Sequence, residues 1–82
     1  MKIVIADDHP IFRSGLKFLL NASFTQIEIV EFDTGALVVD YCLLNEPDIV
    51  IVDIDMPNKN GLEVCEELSQ KGSECNCLLY TS

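Results

Sequence analysis

The sequence has 82 residues and a formal net charge of −9, and hydrophobic residues make up 49% of it. This length allows one small domain, and the acidic charge argues against a nucleic-acid-binding surface, which would need clustered Lys and Arg. No apolar run reaches the roughly 18 residues that a membrane-spanning helix needs, and the N-terminus lacks the pattern of a signal peptide. We therefore expect a cytoplasmic domain that by itself binds neither DNA nor a membrane.

The first twenty residues predict a buried strand followed by an amphipathic helix. Residues 2–6 are an aliphatic run rich in β-branched side chains, and the run ends at the acidic pair Asp7 and Asp8. From Pro10, which suits the first position of a helix, apolar residues recur at helical spacing. The chain therefore opens with a strand that delivers two carboxylates into the loop before a helix.

The middle of the chain predicts a second strand, a second helix and a third strand. Residues 26–32 alternate in part between apolar and acidic side chains, which is typical of a strand near a sheet edge. Thr34 can cap a helix over residues 35–45. Residues 49–52 are apolar on both faces, as in a central parallel strand, and Asp53 ends this run.

The last third of the chain predicts a loop, a third helix and a fourth strand. The turn-rich segment 56–61 precedes apolar residues at helical spacing, and Gly72 can terminate that helix. Residues 77–81 favour a final strand. The order β-α-β-α-β-α-β with short connections predicts a doubly wound α/β fold, in which a parallel sheet has right-handed crossovers and helices on both faces.

Three carboxylates are predicted to meet at one edge of this sheet. Parallel strands end at the same edge, so Asp7 and Asp8 should lie near Asp53. Their mutual repulsion is relieved by a cation, and Mg²⁺ fits best because it is a hard ion that prefers oxygen ligands. Asp53 is then placed to accept a phosphoryl group as an acyl phosphate, and Thr81 to donate its hydroxyl to a phosphoryl oxygen. Each of these aspartates taken alone is also typical of a helix cap or a turn.

At these motifs the sequence resembles the receiver domains of two-component response regulators, along the whole chain. Residues 5–16 are similar to the opening of the LuxR/NarL-type class, and residues 48–63 resemble the phosphoacceptor strand around Asp53 with the loop that follows it. Residues 78–82 resemble the strand that carries the switch hydroxyl and the small residue after it. His9 occupies the variable position beside the acidic pair, where we expect a loop residue or a helix cap.

The resemblance implies a flavodoxin-like (CheY-like) fold with sheet order 2-1-3-4, and it implies a role for each site residue. A sensor histidine kinase would phosphorylate Asp53, and Thr81 would sense the phosphoryl group. Asp7 and Asp8 would hold Mg²⁺ together with Asp53. The backbone carbonyl of Asp55 would be a further ligand of the ion. The chain would act as a phosphoacceptor in signal transduction and not as an enzyme.

Members of the resembled family are longer, which implies that residues 1–82 are a receiver truncated after its fourth strand. The active-site lysine and the DNA-binding effector domain of the class would then be absent. Truncation would leave the fourth strand as an open edge, so we expect a homodimer or a segment-exchanged oligomer. The side chains expected to be partly uncovered are Ile3, Ile5, Phe12, Leu16, Leu78 and Tyr80. Phe12, Leu16 and Leu19 are otherwise expected in the core and not in a cofactor-binding stripe.

Two other functions are consistent with parts of the pattern. Asp53 and Asp55 satisfy the short D-x-D motif of haloacid-dehalogenase-type phosphatases, in which the second Asp is a general acid. This motif does not account for the upstream pair Asp7 and Asp8, and the chain is short for that family. The other alternative is a structural or dimerisation segment with an inert acidic pocket. Turnover of a phosphate ester would favour the first alternative, and failure to bind magnesium would favour the second.

Overall fold

A computed structural model describes residues 1–81 as a four-stranded parallel sheet with three helices. In chain order the elements are β1 (Lys2–Ala6), α1 (Pro10–Ser23), β2 (Glu28–Phe32), α2 (Val38–Asn45), β3 (Ile49–Asp53), α3 (Gly61–Gln70) and β4 (Asn76–Tyr80). The strand order is β2-β1-β3-β4 and each neighbouring pair is parallel, so the predicted fold class and sheet order are confirmed. Ser82, the small residue expected after the switch hydroxyl, lies outside the described residues.

The main hydrophobic core lies between the sheet and the helices α2 and α3. Side chains alternate along a strand, so β1 and β3 send every second residue to this face. The buried members of the core are Val4, Ala6, Val38, Val39, Cys42, Val50, Val52, Met56, Val64 and Leu68. Full burial of a Val or Leu side chain contributes roughly 1.5–3 kcal/mol, so this face carries most of the stabilisation of the fold.

The other face of the sheet lies against α1, where Phe12 stacks on Tyr80 of β4 with ring centroids 5.1 Å apart. Ile3 and Ile5 point to this face and are 1% and 0% exposed. The expectation that they would be partly uncovered is therefore wrong. The reason is that β1 is a central strand, flanked by β2 and β3 on its two sides.

Helix α1 itself is only lightly covered, and all of its residues are exposed or half-buried. Phe12 is 43% exposed and Leu19 is 61% exposed, while Leu16 is half-buried. The prediction that these three residues belong to the core is therefore wrong, whereas the expectation that Phe12 and Leu16 are partly uncovered is confirmed. None of the described residues of α1 is buried, so the helix is at most partly covered on its sheet-facing side. None of the described helices has the length and apolarity needed to cross a bilayer.

Three element boundaries differ from the sequence predictions. Strand β2 begins at Glu28, two residues later than predicted, because Gln26 adopts a left-handed conformation with φ of 56° and interrupts the extended chain. Helix α2 begins at Val38 because the Thr34 hydroxyl accepts a hydrogen bond from the Ala36 N–H at 3.1 Å, which forms a turn before the helix and not its cap. Strand β4 covers residues 76–80, one position earlier than predicted.

Strand β4 is an edge strand of the described sheet, and it exposes apolar side chains. Leu78 is 53% exposed and Leu79 is 40% exposed. Open strand edges recruit partners, so we expect the isolated chain to self-associate through β4 at high micromolar concentration. Light scattering across a dilution series measures this. The charged variant Leu78→Lys should shift the equilibrium toward the monomer, because a lysine on an edge strand opposes pairing.

The matched control is Leu44→Lys, since Leu44 is 84% exposed on α2 and lies away from the sheet edge. This control should associate as the parent does. A parent chain that stays a folded, monodisperse monomer at high micromolar concentration contradicts the prediction. Equal effects of both lysine substitutions would place the contact elsewhere than β4.

Candidate functional site

Four side chains with metal-ligating atoms meet at the carboxyl edge of the sheet. Asp7 and Asp8 follow β1, His9 precedes the first turn of α1, and Asp53 ends β3. One ligand atom from each of the four lies within 4.8 Å of the others. Asp7 and Asp53 are fully buried, whereas Asp8 and His9 are exposed. The structure thus brings together the three aspartates singled out by the sequence, and it adds a histidine.

Strand register explains why these groups converge. Ala6 of β1 pairs with Val52 of β3, and Asp53 of β3 pairs with Tyr80 of β4. Asp7, which follows Ala6, therefore falls in one row with Asp53 and Tyr80. Neighbouring strands lie ~4.8 Å apart, so side chains in one row can contact each other across the sheet edge.

The carboxylate of Asp7 is held at both of its oxygens. Oδ1 accepts a hydrogen bond from the backbone N–H of His9 at 2.7 Å and lies 2.7 Å from Nδ1 of the same residue. Oδ2 accepts a hydrogen bond from the Tyr80 hydroxyl. Burial alone would raise the pKa of Asp7, but the hydrogen bonds from Tyr80 and His9 outweigh it and hold the pKa below its usual value. Asp7 therefore remains ionised although it is buried.

The imidazole of His9 stands among the three carboxylates. Its Nδ1 lies 2.7 Å from Asp7 Oδ1, 3.1 Å from Asp8 Oδ1 and 3.6 Å from Asp53 Oδ2. The hydrogen bond with Asp7 raises the pKa of His9, and the charges of Asp8, Asp7 and Asp53 add to this shift against the opposing effect of burial. His9 occupies the N-cap position of α1, as expected, but its ring is directed at the carboxylates. A protonated His9 offsets part of the negative charge of the cluster.

The Asp53 side chain is oriented by the loop that follows it. Asp53 Oδ1 accepts a hydrogen bond from the backbone N–H of Asp55 at 3.0 Å. Ile54 donates its N–H to the Tyr80 carbonyl at 2.8 Å and accepts the N–H of Gly61 at 3.2 Å. These bonds join the end of β3 to both β4 and the start of α3. The backbone of Asp55 is thereby kept beside the carboxylate of Asp53, while its side chain is exposed.

The rest of this loop is held by α3 and by the segment before α2. Asn60 and Glu63 form a capping box, in which the Asn60 side chain accepts the Glu63 N–H at 2.9 Å and the Glu63 carboxylate accepts the Asn60 N–H at 3.1 Å. The ammonium group of Lys59 pairs with Glu67. Gly35 packs so closely that a Cβ there would lie 1.9 Å from the Lys59 carbonyl oxygen. The loop therefore has a defined position relative to the sheet edge.

Four further residues lie at the site: Thr81, which the sequence predicted there, and His9, Tyr80 and Arg13, which it did not. Thr81 is exposed and follows β4 directly, at the same edge as the cluster. His9 and Tyr80 contact Asp7 as described above, and Arg13 Nη1 donates to the Asp7 backbone carbonyl at 2.6 Å. The alternation of side chains along β4 predicts on which face of the sheet Tyr80 lies, but it does not predict that its hydroxyl bonds to Asp7. Arg13 lies one helical turn after His9, and this spacing is the sequence signal that could have predicted its contact with Asp7.

The doubly wound sheet with an acidic cluster at its carboxyl edge is the architecture that the resemblance to receiver domains implied, and the comparisons with known proteins agree. Residues 3–82 match the family model of the response regulator receiver domain. The chain belongs to this family. The match includes the segment with Asp53 and Asp55, so the phosphatase interpretation of their D-x-D spacing has no support.

Its relatives are of the LuxR/NarL type that the resemblance implied. The chain is 35% identical to the transcriptional regulatory protein DesR of Bacillus subtilis, over 100% of this chain and 40% of that protein. It is 32% identical to the nitrate/nitrite response regulator NarL of Escherichia coli, over 96% of this chain and 37% of that protein. The signal receiver domain of a NarL response regulator from Mycobacterium tuberculosis superposes with a TM-score of 0.86 at 30% identity, over 95% of this chain and 63% of that chain. The chain thus spans about 40% of the length of these curated relatives.

Proposed function

We propose that the chain accepts a phosphoryl group from a sensor histidine kinase on Asp53, with Mg²⁺ held by Asp7, Asp8 and Asp53. The observation that carries this proposal is the cluster itself, in which carboxylate oxygens of the three aspartates lie within 4.8 Å of one another. Two of these aspartates are fully buried. Burying neighbouring negative charges is costly unless a cation compensates them, so the arrangement favours a cation-binding role.

The donor set fits Mg²⁺ because it is built from hard carboxylate oxygens, and the nearby backbone carbonyl of Asp55 is proposed as a further ligand. When bound, the ion would neutralise the negative charge of the cluster and of an incoming phosphoryl group. His9 lies among the same oxygens, but it is exposed, so its ring has room to turn toward solvent. Asp7 stays ionised through its hydrogen bonds and contributes charge to the site.

In the proposed reaction, a carboxylate oxygen of Asp53 attacks the phosphorus of a phosphohistidine. A P–O bond forms, the P–N bond breaks, and the imidazole of the kinase leaves and takes up a proton. The Asp55 N–H orients the attacking carboxylate through its bond to Oδ1. Thr81, at the same edge, would donate its hydroxyl to a phosphoryl oxygen and so respond to phosphorylation. The acyl phosphate formed is labile, which suits a signal that must be reset.

The regulatory relatives suggest what the phosphoryl group controls. DesR is named a transcriptional regulatory protein and NarL a response regulator. We propose that phosphorylation of Asp53 controls a DNA-binding output region in a longer protein of this class. The net charge of −9 makes residues 1–82 unsuited to contact DNA themselves. They would act as the phosphoacceptor part of that protein.

Acetyl phosphate with Mg²⁺ tests the acceptor assignment. We expect intact-mass analysis to show the addition of one phosphoryl group, which hydroxylamine then removes because acyl phosphates react with it. Asp53→Asn should abolish the labelling, and the control Asp40→Asn, at an exposed position on α2, should leave it unchanged. Stable phosphate on His9 or Ser14 contradicts the assignment. A parent chain that neither binds Mg²⁺ nor takes up phosphate would support the inert structural alternative instead.

A further inference from the structure

Tyr80 connects three parts of the fold at the acidic cluster. It is the last residue of β4 and directly precedes Thr81. Its ring stacks on Phe12 of α1, with centroids 5.1 Å apart and an interplanar angle of 25°. Its hydroxyl donates a hydrogen bond to Asp7 Oδ2, after the end of β1. One side chain therefore links the first helix, the last described strand and a predicted metal ligand.

The two oxygens of Asp7 face different partners. Oδ1 lies 2.7 Å from His9 Nδ1, and that nitrogen lies 3.1 Å from Asp8 and 3.6 Å from Asp53. Oδ1 therefore faces the shared space of the cluster. Oδ2 is bound to the Tyr80 hydroxyl. The hydroxyl thus fixes which oxygen of Asp7 is presented to a cation and prevents the carboxylate from rotating.

The environment of Asp7 makes this hydrogen bond consequential. Asp7 is 0% exposed, so solvent does not replace a missing donor without rearrangement. Leaving an oxygen of a buried charged group without a hydrogen bond costs more free energy than leaving a buried neutral group unpaired, because the desolvation penalty is larger. Burial, with the bond to Asp7, raises the pKa of Tyr80, so the phenol remains a protonated donor at ordinary pH values.

We propose that Tyr80 is a positioning residue of the magnesium site, whose hydroxyl holds Asp7 with one oxygen turned toward the cluster. The inference rests on the proposed function of that cluster. Because Tyr80 is adjacent to Thr81, the same hydrogen bond ties the strand of the proposed switch hydroxyl to the metal ligands. Loss of a partner that orients a ligand typically weakens metal affinity about 10- to 100-fold. We expect an effect at the lower end, about tenfold, because His9 still holds Oδ1.

Tyr80→Phe tests the proposal, because it removes the hydroxyl and keeps the ring that stacks on Phe12. Calorimetric titration with Mg²⁺ should give a Kd about tenfold weaker than that of the parent. The matched control is Tyr41→Phe, which removes a hydroxyl from the ring that packs against Phe32 at a centroid distance of 5.4 Å. This control should keep the parental Kd. Circular dichroism in EDTA checks that both variants remain folded.

A second readout separates positioning from a general structural defect. At saturating Mg²⁺, Tyr80→Phe should be phosphorylated by acetyl phosphate at the parental rate, and at low Mg²⁺ it should be slower. A rate defect that persists at saturating Mg²⁺ contradicts a role through metal affinity. If the parent binds Mg²⁺ and Tyr80→Phe binds it equally well, the inference fails while the proposed function stands. If the parent itself does not bind Mg²⁺, the proposed function fails.

A third measurement leaves Tyr80 unchanged and decides the matter if Tyr80→Phe does not fold. The sequence contains two tyrosines, so in Tyr41→Phe the tyrosine fluorescence reports on Tyr80 alone. Mg²⁺ should change this emission saturably, with the same Kd that calorimetry gives. An emission that stays constant while calorimetry shows the site filling would overturn the inference.

Discussion

Asp8→Ala and Asp53→Ala are each expected to remove detectable Mg²⁺ binding from the isolated chain. Both residues contribute oxygens to the cluster, in which the ligand atoms lie within 4.8 Å of one another. A cation with few remaining protein ligands keeps its waters and binds too weakly to measure. The parent should gain about 2.7 kcal/mol in free energy of unfolding when Mg²⁺ is present at about 100 times its Kd. That gain corresponds to a rise in Tm on the order of 10 °C, which neither variant should show.

Two controls make this result specific. Asp55→Ala keeps the backbone carbonyl that is proposed as a ligand, so it should retain most of the affinity. Asp40→Asn removes one exposed charge on α2 and tests the effect of net charge alone. If Asp55→Ala abolishes binding as completely as Asp53→Ala does, the side chain and not the carbonyl is the ligand. If Asp8→Ala and Asp53→Ala both bind Mg²⁺ as the parent does, the proposed site is wrong.

Gly35→Ala is expected to destabilise the fold strongly, by about 2 kcal/mol or more. The added Cβ would lie 1.9 Å from the Lys59 carbonyl oxygen and 2.9 Å from its carbon, and both are backbone atoms that cannot move alone. The segment before α2 and the loop before α3 would have to separate. Urea denaturation in EDTA measures the change, and thermal unfolding should show a fall in Tm on the order of 10 °C.

Gly15→Ala is the matched control for this change, because it makes the same substitution where space is available. Apart from its chain neighbours and the nearby backbone of α1 itself, no described atom lies within 4 Å of the Cβ that it adds. Alanine in a helix interior is favoured over glycine by roughly 0.5–1 kcal/mol, so this variant should be slightly more stable than the parent. A Gly35→Ala protein as stable as Gly15→Ala would show that the two loops are not in close contact.

The fold was largely predictable because its pattern is local. The apolar run of residues 49–52 and its counterpart at 2–6 identify central parallel strands, and short connections then constrain the topology. Boundaries were less predictable where a side chain or backbone contact decides them. The Thr34 hydroxyl forms a turn, so α2 begins at Val38, three residues later than predicted. Gln26 takes a left-handed backbone conformation that its residue type does not predict.

At the site, the sequence predicts which strand ends meet but not how their side chains pair. Asp7 and Asp53 converge because they end neighbouring parallel strands. The contact between Tyr80 and Asp7 joins residues of two different strands. It depends on how far each side chain extends from its strand, which the alternation of side chains does not specify. The exposure of Leu19 was misjudged, because helical periodicity identifies an apolar face without saying whether another element covers it.

Gly61 shows how the main-chain position of one residue limits which side chains another position can accept. A Cβ at this first position of α3 would lie 2.6 Å from the backbone oxygen of Asp53. Every nonsynonymous codon change at position 61 therefore adds atoms that press on the main chain of the proposed phosphoacceptor. Purifying selection for phosphotransfer would extend to a residue that offers no functional group. In a mutational screen, inactive variants at position 61 would thus report on backbone placement, and they would not identify an additional ligand.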